Sequence, residues 1–110
     1  MYEQGEVVIV PFPFSDLSAI KQRPVLILSG DIDNKNSEDV ITCGITSNLK
    51  DRKHSVLIDN KDLITGYVPR TSRIKVDKIF TLNQKIIKKR LAKLNMSIFD
   101  KVRKEFINLV

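Results

Sequence analysis

One cysteine and one histidine in 110 residues leave little of the usual side-chain chemistry of catalysis. With Cys43 alone no intrachain disulfide forms, so a reducing compartment suits the chain. Cys43 lies in the apolar run VITCGI, which fits a packed thiol better than a nucleophile with only one histidine to activate it. His, Cys and carboxylates do not cluster at metal-ligand spacing, no glycine-rich phosphate loop precedes a helix, and Gly-x-Ser-x-Gly does not occur. Familiar metal, nucleotide and serine-hydrolase sites are thereby excluded. No apolar run approaches the roughly 18 residues that cross a bilayer, and the acidic N-terminus does not read as a signal peptide. The expectation is a soluble, cytoplasmic protein without membrane contact. Repeats, low-complexity tracts and linkers are missing, so residues 1–110 are expected to form a single domain with a modest core.

What is present is charge, unevenly spread. The net charge is +6, but residues 1–48 carry three Lys/Arg against seven Asp/Glu, and residues 49–110 carry sixteen against six. A half-chain at +10 invites a polyanion, although a solvated lysine-rich surface would look the same.

The stretch Gly5 to Ser29, GEVVIVPFPFSDLSAIKQRPVLILS, organises the rest. Its two apolar runs have the length and β-branched content of strands, which puts the loop between them at one mouth of a small sheet. Glu6 to Val10 is the first strand, and Pro11 and Pro13 are expected to end or bend it. Phe12 and Phe14 are either core residues at strand spacing or flat platforms beside a base. Lys21, Gln22 and Arg23 line the return of the loop, after turn chemistry at Ser15, Asp16 and Ser18. Pro24 keeps Arg23 extended at the start of the second strand with its side chain away from the core, where a guanidinium suits a phosphate.

Further strands are expected over Val40 to Ile45, Ser55 to Ile58 and Ser72 to Val76, the last continuing from Ile79 to Leu82 after a bend. In Ser72 to Val76, Arg73 and Lys75 share one face and Ile74 and Val76 the other. Thr46, Ser47 and Asn48 close one strand with three hydrogen-bonding side chains, fit either to cap a turn or to hold phosphate and sugar oxygens. Lys53 and His54 sit in the charged connection that follows. Lys85, Lys88, Lys89, Arg90 and Lys93 cluster around Ile86, Ile87 and Leu91 on what reads as a short helical turn. The clearest helix begins at Ser97, whose spacing to Asp100 suggests a capping box, and carries Ile98, Phe99, Val102, Phe106 and Leu109 on one stripe.

These elements bring a guanidinium and hydroxyls to one strand-end mouth. Such groups hold a phosphate and stabilise added charge on it. If the polyanion is RNA, its 2′-hydroxyl is a built-in nucleophile, and cleavage needs only positioning, a proton acceptor and charge stabilisation.

Three blocks also carry a resemblance, in order along nearly the whole chain: GEVVIVPFPFSDL followed by RPVLILS, then ITSN, then SRIKVDKIFTLNQKIIKKRLAKLN with the C-terminal helix. They resemble the MazF/PemK-like toxin endoribonuclease (mRNA interferase) family of type II toxin-antitoxin systems. The resemblance implies a mainly β fold with helices, an SH3-like small β-barrel plus a C-terminal α-helix. It implies a homodimer, sequence-specific cleavage of single-stranded mRNA through 2′-hydroxyl attack with no metal or cofactor, and a cognate antitoxin whose tail fills the RNA site. The family's catalytic arginine falls on Arg23 and its catalytic threonine on Thr46; candidate RNA contacts are Phe14, Lys21, Gln22, Ser47, Asn48, Lys53, His54 and Arg73. The chain departs from many relatives at Gly44, where they have proline, and at Ala92, where they have glycine. The alternative reading is a non-catalytic barrel of the same shape that binds nucleic acid or a protein partner.

Overall fold

In the computed structural model, residues 1–13 and 20–110 are described, with the side chains of 1–11 and 21–110. The elements run β1 (Glu6–Pro13), β2 (Ile20–Ile27), α1 (Asp31–Lys35), β3 (Asp39–Thr46), β4 (Ser55–Ile58), β5 (Leu63–Gly66), β6 (Ser72–Asn83), β7 (Lys89–Leu94) and α2 (Met96–Leu109). Among the described residues the seven strands form one antiparallel sheet in the order β4-β6-β3-β2-β1-β7-β5.

That sheet curls. A single apolar cluster takes Val7 from β1, Leu26 from β2, Cys43 and Ile45 from β3, Val56 and Ile58 from β4, Ile74 and Val76 from β6, and Ala92 and Leu94 from β7. Strands near opposite ends of the order share this core only because the sheet bends round into a half-barrel. α2 closes it with Ile98, Phe99 and Val102. A smaller cluster of Val8, Val10, Val25, Ile27, Val40 and Ile87 covers part of the other face. β1 and β2 thus bury both faces, which is why they read as nearly unbroken apolar runs rather than alternating ones.

β6 carries a bulge. Gly44 pairs with Lys75 whereas Cys43 pairs with Ile79, so Val76, Asp77 and Lys78 form a bulge. The bulge moves the even-numbered residues from one face to the other: Ile74 and Val76 enter the main core, Phe80 and Leu82 the smaller cluster. At the far edge Gly66 has φ 75°, and a Cβ there would lie 2.1 Å from the Leu91 carbonyl oxygen, so the approach of β5 to β7 requires glycine.

Several expectations need correcting. The prolines do not end β1, which stays paired with β2 through Pro11↔Gln22 and Pro13↔Ile20. The Ile9 carbonyl accepts the Lys88 N–H on the β7 side, and by the alternation of antiparallel strands the nitrogens of Pro11 and Pro13 point the same way. Pairing to β7 stops at Ile9↔Lys89, so the missing N–H groups break no ladder bond. β2 accordingly starts at Ile20, and Arg23 lies inside it opposite Val10 rather than at its start. The basic segment after residue 83 opens with a single 3-10 helical turn over Gln84–Ile86, but the helical reading does not extend to Leu91, because Lys89–Leu94 is β7. Ile87, Leu91 and Leu94 happen to fall at helical spacing, but β1 and β5 on either side recruit the segment as a strand. Finally, α2 is capped by Asn95, whose Oδ1 accepts the Ile98 N–H at 2.9 Å, which leaves Ser97 inside the first turn.

Candidate RNA-binding face

The site residues are organised by register. β2 and β3 pair from Ile27↔Thr42 to Val25↔Gly44, and Arg23 and Thr46 each lie two residues beyond that last pair, so by alternation they share its face. Thr46 in turn pairs with Arg73 of β6, and Arg73 with Leu57 of β4. In the adjacent row Val25, Gly44, Lys75 and Ser55 are successive partners. Directly paired residues project from the same side of a sheet, so all of these lie on the face opposite the main core.

Thr46 performs the turn-capping role open to it. Its Oγ1 accepts the Asn48 N–H at 3.1 Å, and Asn48 Oδ1 accepts the Lys50 N–H at 3.0 Å. With one acceptor position used, the threonine O–H remains a donor, which matches a phosphate oxygen. Behind it, the Arg73 side chain is only 13% exposed. Arg73 Nη1 donates to Ser55 Oγ at 3.1 Å and lies 3.4 Å from exposed Asp51, while its buried Nε has no hydrogen-bond partner among the described residues. A largely dehydrated cation therefore stands directly beside the threonine.

More positive charge gathers in the neighbouring row. Lys75 is held below the usual lysine pKa by burial and then by Arg52, Lys78 and Arg23, with Asp77 acting the other way. Asp77 is itself occupied, since Arg52 Nη2 donates to both its carboxylate oxygens at 3.1 and 3.2 Å. Alternation in SRIKV places Lys75 with Arg73 on one strand face, but the register to Gly44, which sets Lys75 near Arg52 and Lys78, has no local sequence signature.

The other sequence candidates are distributed unevenly. Lys21 is exposed and, two residues before Arg23, shares its face; Gln22 is exposed on the other side by the same alternation. Ser47, Asn48 and Lys53 are exposed around the loop that follows Thr46. His54 adopts φ 55°, and its Nδ1 lies 3.8 Å from Glu105 of α2, which turns the ring towards the helix rather than the Arg23 face. Phe14 and the turn residues Ser15, Asp16 and Ser18 lie outside the described residues.

Two features limit the chemistry. Cys43 is fully buried in the main core, and burial, helped by the negative charge of Asp77, pushes its thiol up to about 12, so it stays protonated and inert. Among the described residues no three His, Cys, Asp or Glu side chains come together as a metal site, and no helix is long and apolar enough to cross a membrane. Part of the basic cluster is also spent on structure: Arg90 Nε donates to buried Glu6 at 2.8 Å and its guanidinium stacks 4.3 Å from the Tyr2 ring, while Lys93 meets Glu3 at 3.3 Å. Lys85, Lys88 and Lys89 remain exposed.

Comparison with known proteins agrees with this architecture. A family model described as "PemK-like, MazF-like toxin of type II toxin-antitoxin system" matches residues 3–110. Among solved structures, the chain is similar to an endoribonuclease in complex with its cognate antitoxin from a mycobacterial species, with 20% identity, TM-score 0.79, and coverage of 98% of this chain and 93% of that one. It is similar to the Mycobacterium tuberculosis toxin MazF-mt6, with 19% identity, TM-score 0.70, and coverage of 92% and 93%. It is also similar to a MazE-MazF structure from Deinococcus radiodurans, with 19% identity, TM-score 0.73, and coverage of 98% and 93%. None of the curated proteins compared with the chain matches it in sequence. At such identities the structural likenesses establish the fold.

Proposed function

The chain belongs to the PemK-like, MazF-like toxins of type II toxin-antitoxin systems, and from that premise we propose that it is an endoribonuclease that cuts single-stranded RNA on the face carrying Arg23 and Thr46. The observation that supports this reading is that Arg23 and Thr46 share one sheet face, each two residues beyond the last β2–β3 pair, within a field of positive charge. The Thr46 O–H donates to a non-bridging oxygen of the scissile phosphate. Arg23 stabilises the extra negative charge of the pentacoordinate phosphorus and the departing 5′-oxygen. The substrate's 2′-hydroxyl gives up its proton to solvent as its oxygen attacks the adjacent phosphorus, the P–O5′ bond breaks, the departing 5′-oxygen takes up a proton from solvent, and the products are a 2′,3′-cyclic phosphate and a 5′-hydroxyl. Because the nucleophile is internal to the RNA, no step requires a metal-activated water.

The same reading makes the active species a homodimer, held in check by an antitoxin that competes with RNA for this basic face. Incubating the protein with a long mixed-sequence RNA in EDTA and mapping the cut ends tests it. Discrete cuts, each with a 5′-hydroxyl on the downstream fragment, are expected. Binding without cutting would instead make the chain a non-catalytic barrel, and metal-dependent cutting would overturn the mechanism.

A further inference from the structure

We propose that Lys75 is a third substrate-contacting residue, its ammonium lying over Gly44 to hold a phosphate oxygen of the nucleotide that Arg23 and Thr46 engage. This rests on the ribonuclease reading for its substrate, but its argument is geometric. Lys75 starts on β6, and nothing in its own strand directs it across the sheet. The missing side chain at Gly44 does. A Cβ built there would lie 3.3 Å from Lys75 Cε, 3.7 Å from Nζ and 3.8 Å from Lys78 Cβ. The end of the lysine therefore occupies the space that any other residue at 44 would fill, and it reaches across β3 in the direction of β2.

Arg23 and Thr46 are one row along on the same face, about 7 Å away along the strands, a diagonal spacing that long side chains bridge. Among the described residues the groups facing the ammonium are Arg23 from β2, Arg52 from the loop before β4, Ser55 from β4, and Asp77 and Lys78 from β6. Three of these are cations, and the single carboxylate among them is already doubly bonded by Arg52. Among the described residues Lys75 itself makes no ion pair or hydrogen bond. An ammonium partly withdrawn from water and set among like charges is unfavourable in the free protein, and an anion placed among Lys75, Arg23 and Thr46 attracts each cation and offsets their mutual repulsion. A phosphodiester is such an anion, and it fits the Thr46 donor as well.

Inorganic phosphate is the probe that separates this inference from the ribonuclease reading, since its binding needs no cleavage. Titrated into the full chain, it is expected to shift the backbone amide resonances of Gly44 and Thr46 saturably. Lys75→Met should weaken binding about tenfold or more, the loss of one charge-assisted contact, and Lys75→Arg should restore most of it. Gly44 does not have a positive φ, so Gly44→Ala is tolerated by the backbone but displaces the lysine by a few tenths of an ångström. It should weaken phosphate severalfold in the parent and have no effect in Lys75→Met, because the two changes act on one contact. Absence of saturable binding, shifts confined to another surface, or equal affinity in parent and Lys75→Met would overturn the proposal. If the parent cuts RNA and Lys75→Met has the same kcat and KM, the assignment of Lys75 fails while the ribonuclease reading stands; phosphate binding at Gly44 in a protein that cuts nothing has the opposite meaning.

Discussion

The Thr46 hydroxyl accepts the N–H of Asn48 at 3.1 Å, and this bond fixes the threonine at the end of β3 while leaving its proton to point outward. The same side chain therefore shapes the loop and presents a donor. A substitution that keeps volume but removes the oxygen affects both roles; one that keeps the oxygen affects neither.

Thr46→Val should slow cleavage about ten- to a hundredfold, as expected for a lost hydrogen bond to a charged group, and Thr46→Ser should recover most of the rate. Arg23→Ala should cost more, about a hundred- to a thousandfold in kcat, because it removes a preorganised charge from the transition state. RNA affinity should change far less in either variant, since the many lysines and arginines after residue 49 still neutralise phosphates. Single-turnover cleavage at saturating protein separates the two quantities. If Arg23→Ala cuts as fast as the parent under those conditions, the arginine is not part of the catalytic machinery.

Exposed and committed cations should respond differently. Replacing Lys88 and Lys89 together by alanine is expected to flatten the dependence of log affinity on log salt by about 1.4 units, given roughly 0.7 per phosphate contact on a single strand. The rate of the bound complex should not move. Arg90→Ala should leave the slope nearly unchanged, because that guanidinium already serves Glu6 and Tyr2. It should instead lower stability by about 1 to 3 kcal/mol, the cost of leaving a buried carboxylate short of a partner. Binding isotherms at several salt concentrations and urea melts distinguish the two effects. An Arg90 variant with parental stability and a flattened slope would show that the ion pair to Glu6 is incidental.

Cys43 offers a check on the core. Its folded-state pKa of about 12 lies above the unfolded value of 9.0. Below pH 9 the thiol is protonated in both states, and its burial contributes fully. Between pH 9 and 12 the unfolded chain gives up the proton first, so the contribution falls by about 1.4 kcal/mol per pH unit. Cys43→Ala should therefore destabilise the protein clearly at pH 8 and much less at pH 10.5, and the native parent should resist alkylation at pH 8 until it is unfolded. Rapid alkylation of the native protein would place the thiol outside the core.

The strands around the site were readable because their residues obey local rules. Val40 to Ile45 and Ser55 to Ile58 have strand composition and clear boundaries, and Arg73 and Lys75 alternate with Ile74 and Val76. The misreadings came from features that depend on neighbours. Pro11 and Pro13 are harmless only because β7 stops at Lys89, and LITG becomes β5 only because β7 lies beside it. The N-cap of the C-terminal helix is Asn95 rather than Ser97: both residues have suitable side chains, and the chain's path into α2 selects between them. Arg23 and Thr46 are candidates both from Pro24 and the strand-closing hydroxyls and from the family pattern at RPV and ITSN. Lys75 is not, because its approach to Gly44 depends on the pairing of β3 with β6 and on space left by an absent side chain, neither of which has a local sequence signature.

If Lys75 is held among cations for the sake of a ligand, the free protein should be more stable without it. Lys75→Met keeps most of the side chain's length and removes a charge disfavoured first by burial and then by Arg52, Lys78 and Arg23, with Asp77 acting the other way. At neutral pH the ammonium is charged in both folded and unfolded chains, and the repulsion counts against folding in full. As pH rises from the lowered folded-state value towards 10.5, the folded protein releases the proton before the unfolded chain does, so stability of the parent rises with pH. Lys75→Met should thus melt higher than the parent at neutral pH and low salt. Its advantage should shrink as salt screens these partly exposed charges and as pH approaches 10.5. Adding single-stranded RNA should narrow or reverse the order, because a ligand bound more tightly by the parent stabilises the parent more. Thermal melts of both proteins across salt, pH and RNA concentration measure all three effects; a Lys75→Met protein no more stable than the parent at low salt would mean that the lysine is not strained by its neighbours.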